Sequence, residues 1–302
     1  MKVFRYTILL CVLMLLFGAD IKTKIMLINS SGTVEKYSVA QEEFKNAIPQ
    51  PVIEIDLSKE KWELSDIEDR LYDEYPDLIY CIGTKAYLIA NKYVSEKKII
   101  FSSIINWRRL PLTKNTYGVS NELHPGFQIT LFRYIFPKVS KIGVLYSEEY
   151  NGQWIRKAKQ DAAEMGVEII GKAVGKSRFT LPTLKALLPE IEALWLISDP
   201  VVIPDKQTLL ELFAESDAQK VPIFSYHPTF TEYGAALVVS VDNPTTGRQA
   251  AAIAMDVLNN AKVKEKVELP AGSHIILNLK KVKAYGLQYK EMALGSVNQL
   301  IE

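Results

Sequence analysis

The chain has 302 residues, of which 48% are hydrophobic and 24% are charged, the usual balance for a globular protein. Its 36 basic and 35 acidic side chains give a formal net charge of +1. A near-neutral chain has no large positive field for a polyanion, so we predict no nucleic-acid partner. The length allows one large domain or two of modest size.

The first 19 residues have the pattern of a secretory signal peptide. Lys2 and Arg5 form a short basic region, residues 8–17 are uninterruptedly apolar, and two small residues follow. The alternative is an uncleaved membrane anchor, but this run is half of the roughly 20 apolar residues that span a bilayer. We therefore predict an exported protein with a periplasmic or other extracytoplasmic localisation.

Removal of residues 1–19 would leave Cys81 as the last cysteine of the chain. An intramolecular disulfide would then be impossible, and a lone cysteine within an apolar strand is usually buried and inert. A chain of this size without disulfides is more typical of a bacterial envelope protein than of a small secreted scaffold.

The first half of the chain alternates predicted strands and helices. The strands are predicted at residues 24–29, 52–56, 78–82 and 98–101. The helices between them are expected to begin at two capping boxes, Ser38 with Gln41 and Ser65 with Glu68. Such alternation predicts a parallel sheet with right-handed crossovers.

Residues 117–152 form a pivot between two such series. A short strand closes at residues 118–120, a helical pattern follows until Pro137, and residues 142–146 open a new apolar strand. Further strands are predicted at residues 167–170, 194–197, 221–224, 235–241 and 274–279. Asn151 and Asp205 are expected to cap helices in this half.

The predicted fold class is α/β, with two Rossmann-like lobes of parallel sheet joined by a hinge. Lobe one is expected to comprise residues 24–120 plus 243–275, and lobe two residues 121–242 plus 276–302. Nothing in the chain resembles a flexible linker, so several short crossings should connect the lobes, as in a hinge-bending clamshell. The cleft between them is the expected ligand site.

Ligands of parallel sheets bind beyond the carboxyl ends of the strands. In the first half these ends carry small polar residues, namely Ser30, Ser31, Gly83, Thr84 and Ser103. They offer hydroxyl or backbone N–H groups to a polar ligand group. The alternative for each is an ordinary turn or cap residue.

The second half contributes a charge and an aromatic ring at strand ends. Asp199 follows an apolar strand directly, so its carboxylate is predicted to pair with a ligand ammonium group. The alternative is a turn cap beside Pro200. Tyr226 is predicted to pack on an apolar part of the ligand, or alternatively between the lobes. Asn151 is expected to donate to a ligand carboxylate or another polar group.

The sequence predicts neither catalysis nor a cofactor. No nucleophile elbow, phosphate-binding loop or dinucleotide fingerprint is present. The three histidines are His124, His227 and His274, and their spacing does not match a zinc motif. We therefore predict a binding protein without a metal site.

The order of these segments resembles the substrate-binding proteins of ABC transporters, in the branch associated with aromatic amino acids. The matching segments are residues 118–120, 142–146, 221–224, 233–235, 247–251, 278–279 and 284–287, with Asn151 among them. The resemblance covers most of residues 24–290. The chain departs from it at Lys85, where the family usually has a small residue or proline.

The resemblance implies a type I periplasmic-binding-protein fold, no catalysis, and ligand contacts on strand-end loops. Those contacts correspond here to Ser30, Ser31, Gly83, Thr84, Ser103, Asn151, Asp199, Ser225 and Tyr226. The function we predict is capture of a small solute, an amino acid or similar, for delivery to the membrane permease of an ABC transporter.

Three alternatives remain open at this point. The same clamshell serves as a periplasmic sensory module that signals to a membrane partner, and an enzyme on this fold is a further possibility. A sugar-responsive repressor core is disfavoured, because a leader stands where a helix-turn-helix would be expected.

Overall fold

The structure is a computed structural model that describes residues 23–59 and 61–302. The predicted signal peptide, residues 1–19, lies outside the described residues. Two sheets organise the described chain, one with six strands and one with seven.

The first sheet is built mainly from the N-terminal half. Its strands are β1 (Ile25–Asn29), β2 (Val52–Asp56), β3 (Leu78–Ile82), β4 (Lys98–Ser102), β5 (Thr116–Val119) and β11 (Val267–Glu268). They are ordered β11-β5-β4-β3-β1-β2, and all their pairings are parallel.

The second sheet is built from the remaining strands. These are β6 (Lys141–Tyr146), β7 (Glu168–Ala173), β8 (Ala193–Trp195), β9 (Ile223–Ser225), β10 (Leu237–Val241), β12 (Ser273–Asn278) and β13 (Gln299–Ile301). Their order is β13-β12-β10-β9-β8-β6-β7, with an antiparallel pairing between β10 and β12 and parallel pairings elsewhere.

Helices cover both faces of each sheet, which explains why the central strands are apolar throughout rather than alternating. They are α1 (Glu35–Ala47), α2 (Leu64–Glu74), α3 (Thr84–Tyr93), α4 (Pro125–Ile135), α5 (Glu148–Glu164), α6 (Thr180–Leu187), α7 (Lys206–Ala218), α8 (Asn243–Leu258) and α9 (Leu279–Ala284). In β1, Met26 and Ile28 pack into one core while Ile25 and Leu27 pack into the core on the opposite face.

The chain passes between the sheets three times: after β5, after β10 and between β11 and β12. Helix α8 therefore covers the first sheet although it follows a strand of the second, and it packs closely on α1. Gly247 makes this approach possible, because a Cβ there would lie 2.4 Å from the Ala40 carbonyl oxygen.

One predicted lobe boundary falls inside a strand. Residues 273–275, assigned to lobe one from the sequence, belong to β12 and pair with β10 in the second sheet, where Ser273 faces Val241. The three crossings and the two sheets otherwise match the predicted clamshell architecture.

Several predicted helix starts are wrong by a few residues. Helix α1 begins at Glu35, and Ser38 lies inside it with its hydroxyl donating to the Glu35 carbonyl. The capping box of α2 is formed by Glu63 and Asp66 rather than by the predicted pair. Helix α5 begins at Glu148, so Asn151 is an interior residue of that helix. The Asp205 cap of α7 is confirmed.

Within the described residues, no helix combines the length and apolar character that a membrane crossing requires.

Candidate functional site

The carboxyl ends of both sheets border two adjoining cavities. The larger, here called the cleft, has a volume of about 690 Å³, and the smaller, here called the slot, about 50 Å³. Five residues line both of them: Asn106, Glu122, Leu123, Asn151 and Trp154. Asn106 follows β4 and Glu122 follows β5, whereas Asn151 and Trp154 lie in α5 beside the second sheet. Both lobes therefore contribute to one site.

The slot is walled by strand ends of the second sheet. Trp195 and Ser198 come from the end of β8, Tyr226 follows β9, and Ser240 lies in β10. The Trp154 and Trp195 rings are 4.8 Å apart in an edge-on arrangement. These rings give the slot an aromatic wall.

Asp199 is buried behind this wall, where it accepts several hydrogen bonds, and it does not project into the cleft. The residue is only 2% exposed to solvent. Oδ2 accepts from the Ser147 N–H and Oγ at 2.7 Å each and from Asn151 Nδ2 at 2.8 Å. Oδ1 accepts from the backbone N–H groups of Val201 at 2.9 Å and Val202 at 3.2 Å. Its predicted pairing with a ligand is therefore corrected, because five protein donors surround the carboxylate.

Asn151 lies in the site as predicted, but with the opposite hydrogen-bonding sense. Its Nδ2 donates to the Ser198 carbonyl at 3.1 Å and to Asp199 Oδ2 at 2.8 Å. Both amide protons are therefore used, since an amide nitrogen has two. The group that Asn151 presents to the cavities is its Oδ1 acceptor rather than the predicted donor.

Three further polar residues line the slot that the sequence analysis did not single out. Glu122 accepts from the Asn106 N–H and from Arg108, both at 2.7 Å. Gln128 Nε2 donates to the Leu123 carbonyl at 3.2 Å. Ser240 Oγ donates to the His274 carbonyl at 3.2 Å. Glu122 lies in the pivot region of the sequence, which was the one available signal for it.

The predicted contacts of the first sheet serve mainly as turn residues in this conformation. Ser30 Oγ accepts from the Ala86 N–H at 3.0 Å, and the Ser31 hydroxyl bonds to that of Thr33. Gly83 has φ +84 and donates to the Ser102 carbonyl, which ties β3 to β4. As the described residues define them, neither the slot nor the cleft is lined by these three residues.

Thr84, Ser103 and Ser225 also lie outside the two cavities as the described residues define them. Thr84 is exposed at the start of α3. The hydroxyls of Ser103 and Ser225 are buried, and no partner for either is found within the described part of the chain. Of the nine predicted residues, Asn151 and Tyr226 line a cavity, and Asp199 supports one from behind.

Charged side chains of the first lobe lie close to aromatic or titratable side chains of the second. The Arg109 guanidinium lies 4.2 Å from the ring centroid of Tyr150 on α5. Burial lowers the pKa of His227, and the charge of Lys36 on α1 lowers it further. Burial raises the pKa of Tyr226, and a hydrogen bond with Ser198 offsets part of this rise.

Comparison with known proteins adds a family and a fold. Residues 53–301 match the family model described as ABC transporter substrate binding protein. A tyrosine-binding protein of Clostridioides difficile is 24% identical over 232 residues, which are 74% of this chain and 66% of that protein. The match thus spans just under two thirds of that relative's length.

Two solved structures have the same architecture. The ABC domain from Streptococcus pneumoniae in complex with L-Trp has a TM-score of 0.62 at 18% identity, covering 92% of this chain and 100% of that one. The ligand-free, open structure of a Clostridium difficile substrate-binding protein with adhesive properties has a TM-score of 0.71 at 18% identity, covering 92% and 99%. The predicted two-lobed clamshell fold is confirmed.

Proposed function

Because the chain belongs to the ABC transporter substrate-binding protein family, we propose that it captures an amino acid or a similar small solute in its cleft for a membrane permease. Members of this family are solute-binding proteins rather than enzymes, and they work outside the cytoplasmic membrane. Delivery to a permease and export by residues 1–19 are parts of the proposal.

The observation that carries the proposal is the shared lining of the cavities. Asn106 from the first lobe and Asn151 and Trp154 from the second border the same space. A solute held there touches both lobes at once. It binds more tightly when the lobes are closed on it, and this differential affinity shifts the population towards the closed state.

Two observations support an amino acid with a bulky side chain as the ligand. The cavities combine indole and phenol rings with amide and carboxylate groups, the mixture that binds an apolar body with a polar end. Among the similar proteins, one is a tyrosine-binding protein and another was solved in complex with L-Trp.

The proposal is tested by a thermal-shift screen of the purified protein against amino acids, small peptides, nucleobases and sugars. A ligand at 100 times its dissociation constant stabilises the folded state by about 2.7 kcal/mol, which raises the melting temperature measurably. We expect the largest shift with an aromatic amino acid.

Two variants locate the binding site. Trp154→Ala removes a ring that lines both cavities and should abolish the shift. Tyr72→Ala removes an aromatic ring of α2 that is 56% exposed and should leave the shift intact. Absence of a shift with every solute would overturn solute capture and favour the sensory alternative.

A further inference from the structure

We infer that the slot is the binding site for the ammonium group of the ligand, and that Asp199 is a positioning residue that fixes Asn151 as one of its acceptors. This inference rests on the proposed function and adds a chemical requirement to it. The ligand must carry a primary amine, and the amine must enter the slot while the rest of the molecule occupies the cleft.

The orientation of the Asn151 amide is set by its two partners. A carboxylate oxygen of Asp199 and a backbone carbonyl of Ser198 are acceptors only, so both must face Nδ2. Within the described chain, no donor lies within hydrogen-bond distance of Asn151 Oδ1, and this atom is not among the buried ones. The free end of the side chain is therefore a fixed acceptor at the junction of slot and cleft.

Two other side chains of the slot, like that of Asn151, donate a proton to a backbone carbonyl. Gln128 Nε2 faces the Leu123 carbonyl, and the Ser240 hydroxyl proton faces the His274 carbonyl. In each case a backbone carbonyl accepts one proton. The Ser240 and Gln128 side-chain oxygens remain available as acceptors, and Gln128 Nε2 keeps one further proton. Asn106 and Asn121 also line it, and within the described residues neither side-chain amide has a hydrogen-bond partner.

The slot also contains a carboxylate, that of Glu122, which is ion-paired with Arg108 at 2.7 Å. Glu122 lines both cavities, its side chain is 20% exposed, and its two oxygens have lone pairs beyond those that bind the Asn106 N–H and Arg108. Arg108 is 53% exposed and therefore largely hydrated. A hydrogen bond from an ammonium group to a carboxylate is about twice as strong as a neutral one. A ligand carboxylate in the same place would meet oxygen lone pairs and a like charge.

The dimensions and the aromatic residues agree with this assignment. The slot's volume of about 50 Å³ suits a small head group, since a single water molecule needs about 10–15 Å³ on the same measure. Trp154 and Trp195 line it, and indole rings attract cations through their faces. The volume of about 690 Å³ beside it is large enough for the body of an amino acid.

The test is a calorimetric titration of the purified protein with L-tyrosine, tyramine and 3-(4-hydroxyphenyl)propionate. The last two compounds lack the carboxylate and the amine of L-tyrosine, respectively. We expect removal of the amine to weaken binding by about 100-fold or more, because the acceptors of the slot then lose a charged donor. Tyramine should retain measurable binding. The same series with L-tryptophan, tryptamine and indole-3-propionate serves as the second probe set.

Variants separate positioning from folding. Asn151→Leu should weaken amine-bearing ligands by about 10-fold and leave the desamino compound unchanged. Asp199→Asn removes the charge of the acceptor that holds the Asn151 amide and should give the same selective loss, which a general loss of structure would not. Gln128→Met tests a second acceptor that makes no contact with Asp199.

The outcomes are distinct for the two proposals. If an amino acid and its desamino analogue bind equally well, solute capture stands and the slot assignment is overturned. If Asn151→Leu and Asp199→Asn weaken both compounds to the same degree, the positioning role of Asp199 is overturned. If none of the six compounds binds, capture of an aromatic amino acid and the inference built on it both fail.

Discussion

Asp199→Ala should destabilise the second lobe strongly, although the residue is one small carboxylate in a turn. Its five accepted hydrogen bonds tie the β6–α5 turn to the segment after β8, residues about 50 positions apart in the chain. Two of the five donors, the Ser147 hydroxyl and the Asn151 amide, belong to side chains that can turn to other partners. The other three are backbone N–H groups that cannot.

The magnitude follows from the buried donors that remain. The N–H groups of Ser147 and Val202 are buried, and each unsatisfied buried group costs about 1–3 kcal/mol. Water entering the space left by the carboxylate recovers part of this, so we expect a loss of about 3 kcal/mol. For a chain of this size, such a loss lowers the melting temperature by roughly 6–12 °C.

The assay is thermal unfolding followed by circular dichroism, with Asp205→Ala as the matched control. Asp205 is also an aspartate at the start of a segment, but it is exposed and caps α7 through one N–H, that of Thr208. Its removal should lower the melting temperature much less. Equal losses for the two variants would refute the argument that the number of buried donors sets the cost.

Three further results are expected. Gly83→Ala should lower the melting temperature more than Gly166→Ala. The positive φ of Gly166 costs alanine about 1–2 kcal/mol, and a Cβ there meets no atom. Gly83 combines φ +84 with ψ 164, a conformation essentially restricted to glycine, and a Cβ there would also lie 2.7 Å from Ser30 Oγ; equal losses would contradict this. Cys81 is fully buried, and burial raises the pKa of its thiol. After maleimide treatment at pH 7, mass spectrometry should therefore find this residue unmodified in the native protein and modified in the unfolded protein. Labelling in the folded state would contradict its burial. The pKa of His227 is lowered in the folded state, so its contribution to stability is present above its unfolded value near 6.5 and is lost as the pH falls through the folded value. Wild type should therefore lose more stability between pH 7.5 and pH 5 than His227→Asn, which does not titrate; identical pH profiles would contradict the assignment.

Much of the fold was predictable because each sheet is buried on both faces. The strands β2 and β3 coincide with the predicted ranges. Strand β3 is a continuous apolar run that is buried throughout, whereas the edge strand β2 alternates apolar and acidic residues, and both patterns indicate strands. The two-residue strand β11 and the edge strand β13 were not predicted. Neither has a long apolar run, and each forms because a neighbouring strand offers it an edge to pair with.

The helix starts were less predictable, because several residue types cap a helix and the sequence often offers more than one. Ser65 and Glu68 form a plausible capping box, yet Glu63 and Asp66 form the observed one two residues earlier. Glutamate is a poor cap by statistics, so the local pattern alone favours the wrong pair.

The site was predictable in position but not in detail. Parallel strands place their carboxyl ends together, and two of the predicted ligand contacts, Asn151 and Tyr226, line a cavity there; their contact with a ligand stays a prediction. The role of Asp199 depends on donors from Ser147 and Asn151, about 50 residues away, and no local pattern reveals such partners. Glu122 was missed for the same reason.

The central claim, solute capture between the two lobes, is tested most directly by titrating L-tyrosine calorimetrically into wild type, Trp154→Leu and Phe179→Leu. Trp154 lines both cavities, whereas Phe179 is 47% exposed and outside them. We predict saturable one-to-one binding to wild type and to Phe179→Leu, with affinity at least about 10-fold lower for Trp154→Leu because an apolar wall of the site is lost. Equal affinity for all three proteins would place the ligand elsewhere and contradict the account.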